Sequence, residues 1–520
     1  MTQKKIVFVA YQDQENLGVG YLSSILISKG FNVEIIDFHL GYEEIYQRLR
    51  KTDPFLVGFS LIFQYYTARL QELIKILRDK GINSHFTVGG HYPSLSYKDV
   101  LNSIPGLDSV VRFEGEHTIC ELAKKLMIGE NWTIIKGIAY RKQGKPVSNE
   151  LRALIENLDS LPFPYRSKEN PYECLDKKCA FILANRGCIW NCAFCSIRKF
   201  YSTPPGKLRR SRSPGNVVRE MKELYEKNIR IFLFQDDDFF SPGKFGEVWI
   251  NTFINRLKKE GIAENILWKI SCRSDEVDFE LFQKLKKIGL CLVYLGIESG
   301  NPTGLKILNK HLTVDDSIRA TKNLNKLDIL WDFGFMLWDP SSTFQSVRAN
   351  IEFLKNICRE GFSPVTFCKT LPYAGTDIER ALKNQGRLKG SIIMPDYNLL
   401  DARLEKHCRF LHEIFYDWIF RPNGLLEIIR HHRLEIKILE KFYPHAKGLI
   451  KYKDFVKKII ASSNELFFEI AEKSTDIFEE DNSYTERQVL KLEKILPIEQ
   501  NRIHKKLIDG MRQFHQQQLN

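Results

Sequence analysis

The chain has 520 residues, 43% of them hydrophobic and 12% aromatic, which excludes a disordered protein and exceeds what one ordinary core accommodates. Its formal charge of +13 admits nucleic acid or an anionic surface as a partner, yet no whole-face nucleic-acid footprint is visible. The opening "MTQKKIVFVAYQD" lacks a small-residue cleavage site, and no stretch nears the ~18 apolar residues of a membrane span, so a cytoplasmic protein without a membrane span is expected. In a reducing compartment its eleven cysteines read as free thiols or metal ligands before disulfides.

In chain order, "KIVFVAY" reads as a short buried strand and "LGVGYLSSILISKG" as the loop and helix after it. "FNVEIID", "FLVGFSL" and "SHFTVGG" are further strands, separated by helical stretches such as "ARLQELIKILRDKG". Strands alternating with helices predict a parallel sheet, so residues 1–145 form an α/β, doubly wound domain whose ligand lies beyond the carboxyl ends of the strands. Residues 146–175, polar and proline-bearing, are expected to be a linker.

A second alternating series follows over 176–380: "CAFILAN", "IRIFLFQ", "ILWKISC", "CLVYLGI", "ILWDFGFML" and "PVTFCKTL". Six such strands predict a barrel or partial barrel with its chemistry on loops at the carboxyl ends. Ser213 and Pro214 mark a helix start as N-cap and first residue. Before them, Arg198 to Arg212 holds six basic residues and no acid, readable as a solvated loop or as a contact surface for an anionic ligand or domain. Residues 381–520 read as a helical extension.

Chemistry is concentrated in "RGCIWNCAFCSI", where Cys188, Cys192 and Cys195 fall within one short loop. A closed structural zinc site needs four ligands, and Cys174 or Cys179 could supply the fourth, so zinc stays open as a reading. Three thiolates on a four-iron cluster instead leave one iron open to a small ligand. The spacing Cys-x3-Cys-x2-Cys, with Phe194 before the last cysteine, resembles the radical S-adenosylmethionine (SAM) superfamily. That resemblance implies a [4Fe-4S] cluster on the three cysteines and SAM bound at strand ends: Phe194, Asp236 and Asp237 of "FQDDDFF" toward the methionyl part, Arg273 of "KISCRSD" toward a carboxylate, and Glu298 and Ser299 of "YLGIESGN" toward the ribose. Each of these polar residues could equally cap a helix or pair internally.

The doubly wound domain ahead of such a barrel resembles the cobalamin-binding branch of the superfamily. The residues carrying this are Leu17 and Gly18, Ser60 and Leu61, Gly89, Gly90, His91 and Pro93, and Gly115 and Glu116, with Gln64, Tyr65 or Tyr66 as candidates beneath the corrin ring. Glycines there would allow close backbone approach to a bulky ligand. "DFHLG" falls one residue short of the histidine motif that supplies a cobalt ligand in many cobalamin proteins, so His39 is read as an ordinary histidine and the cobalt as lacking one below it.

The resemblance implies a cobalamin-dependent radical methyltransferase acting on an unactivated carbon of a natural-product or peptide substrate through a 5′-deoxyadenosyl radical. It also implies an external electron donor of flavodoxin or ferredoxin type. Oxidation, cyclisation or ring rearrangement with the same cofactors is the alternative. A methylthio-transferring enzyme acting on tRNA is set aside, because it would need a second cysteine triad where this chain has only Cys120. No catalytic side chain is assigned.

Overall fold

A computed structural model describes residues 5–12, 15–167, 173–480 and 485–519. The backbone divides into two compact units, the first formed by 1–172, 180–220 and 371–397, the second by 173–179, 221–370 and 398–520. The segment carrying the cysteines and the segment 371–397 therefore belong with the amino-terminal sheet, a grouping that strand-and-helix alternation does not convey.

Unit 1 is built on a seven-stranded sheet of order β2-β1-β3-β4-β5-β6-β7. The strands are β1 (Lys5–Ala10), β2 (Asn32–Asp37), β3 (Leu56–Ser60), β4 (His85–Gly89), β5 (Ser109–Val111), β6 (Ile138–Lys142) and β7 (Lys145–Ser148). The first five are parallel, as their near-continuous apolar sequences require when helices cover both faces. β6 and β7 pair antiparallel and extend the sheet past residue 145, into the stretch read as a linker. Order 2-1-3-4-5 puts the topological switch point between β1 and β3.

Beyond it come β8 (Glu173–Cys174), β9 (Lys177–Ile182) and the short antiparallel pair of β10 (Asn185–Arg186) with β11 (Arg210–Ser211). Then follow β12 (Ile229–Phe234), β13 (Leu267–Arg273), β14 (Leu290–Glu298), β15 (Leu330–Trp338) and β16 (Cys368–Lys369). The sheet of order β16-β15-β14-β13-β12-β9-β8 curls into an open half-barrel. Parallel pairing runs without interruption from β12 to β16.

The two faces of these strands differ in kind. Trp268, Trp331, Phe333 and Phe335 are fully buried on one face. Their alternates, Lys269 and Ser271 on β13, Tyr294 and Gly296 on β14, and Asp332 and Gly334 on β15, share the other. Register places Ser271 beside Tyr294, Tyr294 beside Asp332, and Gly296 beside Gly334.

The expected helix start at Ser213 is present, with Ser213 Oγ accepting from Asn216 N at 3.1 Å ahead of helix Pro214–Glu226. The tail is helical from Ala402, in helices Ala402–Ile414, Leu425–Phe442, Leu449–Glu480 and Thr485–Leu519. Ahead of these, β17 (Leu388–Gly390) and β18 (Pro395–Tyr397) form a hairpin where only helix was expected.

Within unit 2, Arg433 on helix Leu425–Phe442 donates to Asp332 Oδ1 at 2.5 Å and to the Trp331 carbonyl at 2.8 Å. Arg433→Met should destabilise the protein by ~3–5 kcal/mol, because the buried Asp332 loses its closest cation. A urea-unfolding midpoint indistinguishable from that of the parent chain would contradict this.

Candidate functional site

The cysteine loop starts from a buried anchor. Arg186 of β10 donates to Glu116 Oε1 at 2.6 Å and to Glu114 Oε1 at 3.1 Å, and its guanidinium lies 5.0 Å from the centre of the Tyr21 ring. Arg210 of β11 reaches both Glu114 oxygens at 2.8 Å, and Glu114 also accepts from Ile155 N. Two guanidinium groups beside it hold the Glu114 carboxyl below its ordinary value against the opposing effect of burial. The chain of pairs continues through Arg212 to Glu220, Glu220 to Arg166, and Arg166 to Glu15.

Two of the six basic residues are thus neither solvated nor waiting for an external anion. Arg210 and Arg212 are buried and paired inside unit 1. Glu116 likewise serves as the counter-ion of Arg186, a different task from the corrin contact expected of it.

Gly187, next in the chain, has φ +86°, and a Cβ there would stand 1.9 Å from the Leu208 carbonyl oxygen, so only glycine fits beneath β11. The loop then turns with Cys195 N donating to Cys192 O at 3.1 Å, and Cys195 caps helix Ser196–Ser202. Arg198 donates to Ile189 O and Ile378 N to Ala193 O, staking the loop at two further points. Cys188, Cys192, Cys195 and Phe194 are all partly exposed. Among the described residues no three His, Cys, Asp or Glu side chains are disposed around a single ion, whereas the thiolates of a four-iron cluster bind separate irons. Cys174 and Cys179, the possible fourth zinc ligands, sit in an apolar cluster with Ile231, Leu267 and Ile438, and burial pushes the Cys174 thiol up to about 12.

Also in unit 1, the switch point is spanned by a hydrogen bond from Asn16 Nδ2 to Ser60 Oγ at 3.2 Å, while Asn16 Oδ1 caps the helix that begins at Leu17 and Gly18. The glycine-centred reading did not single out Asn16, which ties these two loops together. Beside this link runs a row of rings, from Tyr11 stacked on Tyr66 (4.3 Å) through Tyr65 to Phe63. Ile62, Phe63 and Tyr65 are 42%, 44% and 39% exposed, so a flat apolar surface stands open where a doubly wound fold binds its ligand.

Other expected corrin residues have internal tasks. The Gln64 amide accepts from Ala374 N and donates to Ile392 O, both at 2.9 Å, which fastens segment 371–397 to the loop after β3 and does not leave the amide free to lie under a ring. Leu61 and Pro93 are buried, Leu61 in the sheet's core. Gly90 has φ +123°, and a Cβ there would meet the Leu61 carbonyl oxygen at 2.3 Å, so the close approach it permits is to its own chain. A Cβ on Gly89 would meet Val111 O, and one on Gly115 would meet Val111 and Leu22. His91 packs against Phe200 with ring centres 4.2 Å apart and tilted, and burial pushes its pKa down to about 4. His39 is half-exposed and pairs with Asp37 at 3.0 Å.

In unit 2 the strand-end residues differ in their partners. Asp236 and Asp238 are buried and Asp237 is exposed at the end of β12. Asp238 faces Glu276, and burial together with that neighbouring carboxylate raises Glu276 to about 9, so the two carboxyls share a proton. Arg273 is consumed by Asp275 and by the carbonyls of Lys310 and His311, a holding role in place of the expected carboxylate clamp. Ser299 donates to Asn350 Oδ1 and is 1% exposed, so it braces the turn before helix Pro302–Ile307 and not a ribose.

Glu298 stands out, with φ +69° and one carboxylate oxygen 3.2 Å from the buried Lys310 ammonium. Its side chain lies over the glycine pair, since a Cβ on Gly334 would come within 3.0 Å of Glu298 Oε2 and one on Gly296 within 2.6 Å of Lys310 Nζ. Lys310, Gly296 and Gly334 were not singled out in the sequence. The signal available was a glycine in the interior of two consecutive strands, "YLGIE" and "DFGFM".

Comparison with known proteins adds the decisive observation. Residues 3–123 match the B12 binding domain, and residues 182–337 match the Radical SAM superfamily. An uncharacterised methyltransferase of Pyrococcus horikoshii is 30% identical over 438 residues, covering 81% of this chain and 91% of that protein. The chain belongs to the cobalamin-binding branch of the radical SAM enzymes. The anaerobic magnesium-protoporphyrin IX monomethyl ester cyclase of Cereibacter sphaeroides is 27% identical over 345 residues, 64% of this chain and 54% of the cyclase. The cobalamin-dependent radical SAM enzyme OxsB, solved with aqua-cobalamin and SAM bound, superposes with a TM-score of 0.70 at 17% identity, covering 100% of this chain and 84% of OxsB.

The cofactors of this radical SAM enzyme are accordingly a [4Fe-4S] cluster, SAM and cobalamin. Residues present in unit 1 fit two of them: three soft thiolates on a staked, partly exposed loop for the cluster, and an open aromatic surface at the switch point for the corrin. In unit 2 the Glu298 carboxylate above paired glycines fits a hydroxyl-bearing ligand such as a ribose.

Two outcomes follow for unit 1. Arg186→Met should lower stability by ~3–5 kcal/mol by orphaning the buried Glu116 carboxylate and taking one of two cations from Glu114, and reconstituted protein should retain less iron than the parent. In the pH direction, His85 and His91 are each held neutral at about 4 against an ordinary 6.5, mainly by burial. The unfolded chain therefore takes up protons first, so stability falls as pH drops through 6.5 and levels off below about 4. His91→Gln should flatten that fall in unfolding midpoints measured from pH 7 to pH 4.

Proposed function

We propose that this radical SAM enzyme is a cobalamin-dependent methyltransferase acting on an unactivated carbon of a small-molecule or peptide substrate. The observation that carries the reading is the similarity to the Pyrococcus horikoshii methyltransferase along 81% of the chain, through both cofactor domains. When bound, the cluster with SAM supplies a 5′-deoxyadenosyl radical, and the corrinoid supplies the methyl group.

The chain's own residues hold and shield these groups. Cys188, Cys192 and Cys195 are assigned to the cluster, Glu298 to the SAM ribose with Lys310 orienting its carboxylate, and Asp236 and Asp237 to the methionyl end. Ile62, Phe63 and Tyr65 are assigned to the corrin face, with Asn16 and Ser60 fixing the loops on either side. An aromatic platform excludes water from a flat ligand, and the half-exposed His39, paired with Asp37, packs edge-on against Tyr11 at one end of it. An external one-electron donor and a cytoplasmic place of action belong to this proposal. Among the described residues no helix is long and apolar enough to cross a membrane.

A second reading, oxidative cyclisation or rearrangement without methyl transfer, is favoured by the likeness to the cyclase, of which the chain spans about half. The two separate in one experiment. With SAM labelled in its methyl group, the methyltransferase should yield one 5′-deoxyadenosine and one S-adenosylhomocysteine per labelled product. Turnover with 5′-deoxyadenosine but without S-adenosylhomocysteine or added mass would establish the second reading. Cys192→Ala should abolish 5′-deoxyadenosine formation under either.

A further inference from the structure

We propose that the polar face of the half-barrel in unit 2 binds an oxyanion of the substrate, a phosphate or a carboxylate, through Lys269 and Arg430. The inference rests on the methyltransferase reading only in taking the bound molecule as substrate.

The face is open at its centre. Tyr294 lies on β14, with β13 on one side and β15 on the other, yet it is 40% exposed. Parallel strands covered on both faces carry apolar residues throughout, so a polar row at alternate positions marks a face that side chains do not fill. Lys269, Ser271, Tyr294 and Asp332 make up that row.

Charge on this face is unbalanced. Elsewhere in unit 2 the buried lysines meet carboxylates: Lys310 meets Glu298, Lys369 meets Glu405, and Lys437 meets Asp328 and Glu440. Among the described residues Lys269 has no carboxylate within 4.0 Å; its ammonium donates only to Ser271 Oγ at 3.1 Å and lies 5.9 Å from the Tyr294 ring centre. Burial lowers its pKa, as a desolvated ammonium without a close partner requires. Two carboxylates act on Lys269 from beyond ion-pair distance, Asp332 on β15 and Asp236 at the end of β12, and Arg433 already holds Asp332 at 2.5 Å.

Arg430, one turn before Arg433, comes only to 3.7 Å of Asp332 Oδ1, and its buried Nε has no hydrogen-bond partner. Lys269 and Arg430 therefore keep unspent donors, because Asp332 is held by a third cation and neither Asp332 nor Asp236 comes within hydrogen-bond distance of them. A half-buried ammonium without a hydrogen-bonded counter-ion is poorly compensated, and an oxyanion would supply one to Lys269 while accepting from the Arg430 fork.

The test uses full-length protein and inorganic phosphate, compared with chloride at equal ionic strength, reading thermal midpoint and calorimetric binding. Phosphate should raise the midpoint saturably in the parent chain, and Lys269→Met and Arg430→Met should each cut the shift at least fourfold. Lys207→Ala, which removes a surface lysine, should leave the shift unchanged. Without phosphate, Lys269→Met should match or exceed the parent midpoint, since it removes an unpaired charge; a structural lysine would give a lower one. SAM affinity should change less than twofold in both variants. A phosphate shift equal in parent and variants would overturn the proposal, as would loss of SAM binding along with phosphate binding, because the occupant would then be the SAM carboxylate. Phosphate binding needs no turnover, so its failure and the failure of methyl transfer are read separately.

Discussion

Unit 1 depends on the buried pairing of Arg186 with Glu114 and Glu116. Three charges withdrawn from water would be costly alone, and Arg210, the Ile155 amide and the Tyr21 ring complete the set. A buried network of this kind contributes modest net stability, but losing any member is expensive, so it fixes one arrangement over its neighbours. The cysteine loop starts two residues beyond Arg186, and Gly187 between them admits no side chain. Thiolate positions are thereby tied to the same carboxylates that stand at the start of helix Glu116–Ile128, after β5 of the amino-terminal sheet.

Unit 2 works from a different constraint, the two-residue period of a strand. One face of β13, β14 and β15 carries tryptophan and phenylalanine into a dry layer, and the other carries lysine, serine, tyrosine, aspartate and a glycine pair. Sliding any of these strands by one residue would exchange the two sets, burying charge and exposing indole, so register is strongly specified. Helix Leu425–Phe442 adds to this through Arg433, which fills the free Trp331 carbonyl on the part of β15 that β16 does not reach. The carboxyl-terminal extension is thus part of how the half-barrel is closed along its edge.

The strands and the cluster loop were legible because their signals are local: apolar runs bounded by turns, and three thiols at fixed spacing. The antiparallel β6–β7 pair and the β17–β18 hairpin were missed, having short, polar sequences that do not alternate. Polar residues at strand ends were legible as a set but not one by one. Glu298 remains available to a ligand, whereas Arg273, Ser299 and Gln64 are spent on Asp275, Asn350 and the 374–392 segment. Whether a side chain faces a ligand depends on partners at very different separations, two residues from Arg273, 51 from Ser299 and 310 from Gln64, which spacing cannot show. The basic run was left open between two readings for the same reason, since the counter-ions of Arg210 and Arg212 lie at Glu114 and Glu220.

The three aspartates after β12 show how such partners change the chemistry. Read from sequence they are three negative charges at one strand end, which would repel one another and draw any cation strongly. Asp238 is withdrawn by sharing a proton with Glu276, whose carboxyl is raised to about 9, so near neutral pH the pair carries one charge between two groups. Glu276 also accepts from the Arg273 amide at 2.9 Å, which locks the turn that carries the Arg273 guanidinium. The acid run therefore divides into Asp238, engaged with Glu276, and the buried Asp236 and exposed Asp237 beside it at the strand end. Sharing a proton between Asp238 and Glu276 spares the unliganded fold one buried charge at that strand end, which would otherwise be costly to hold without a counter-ion.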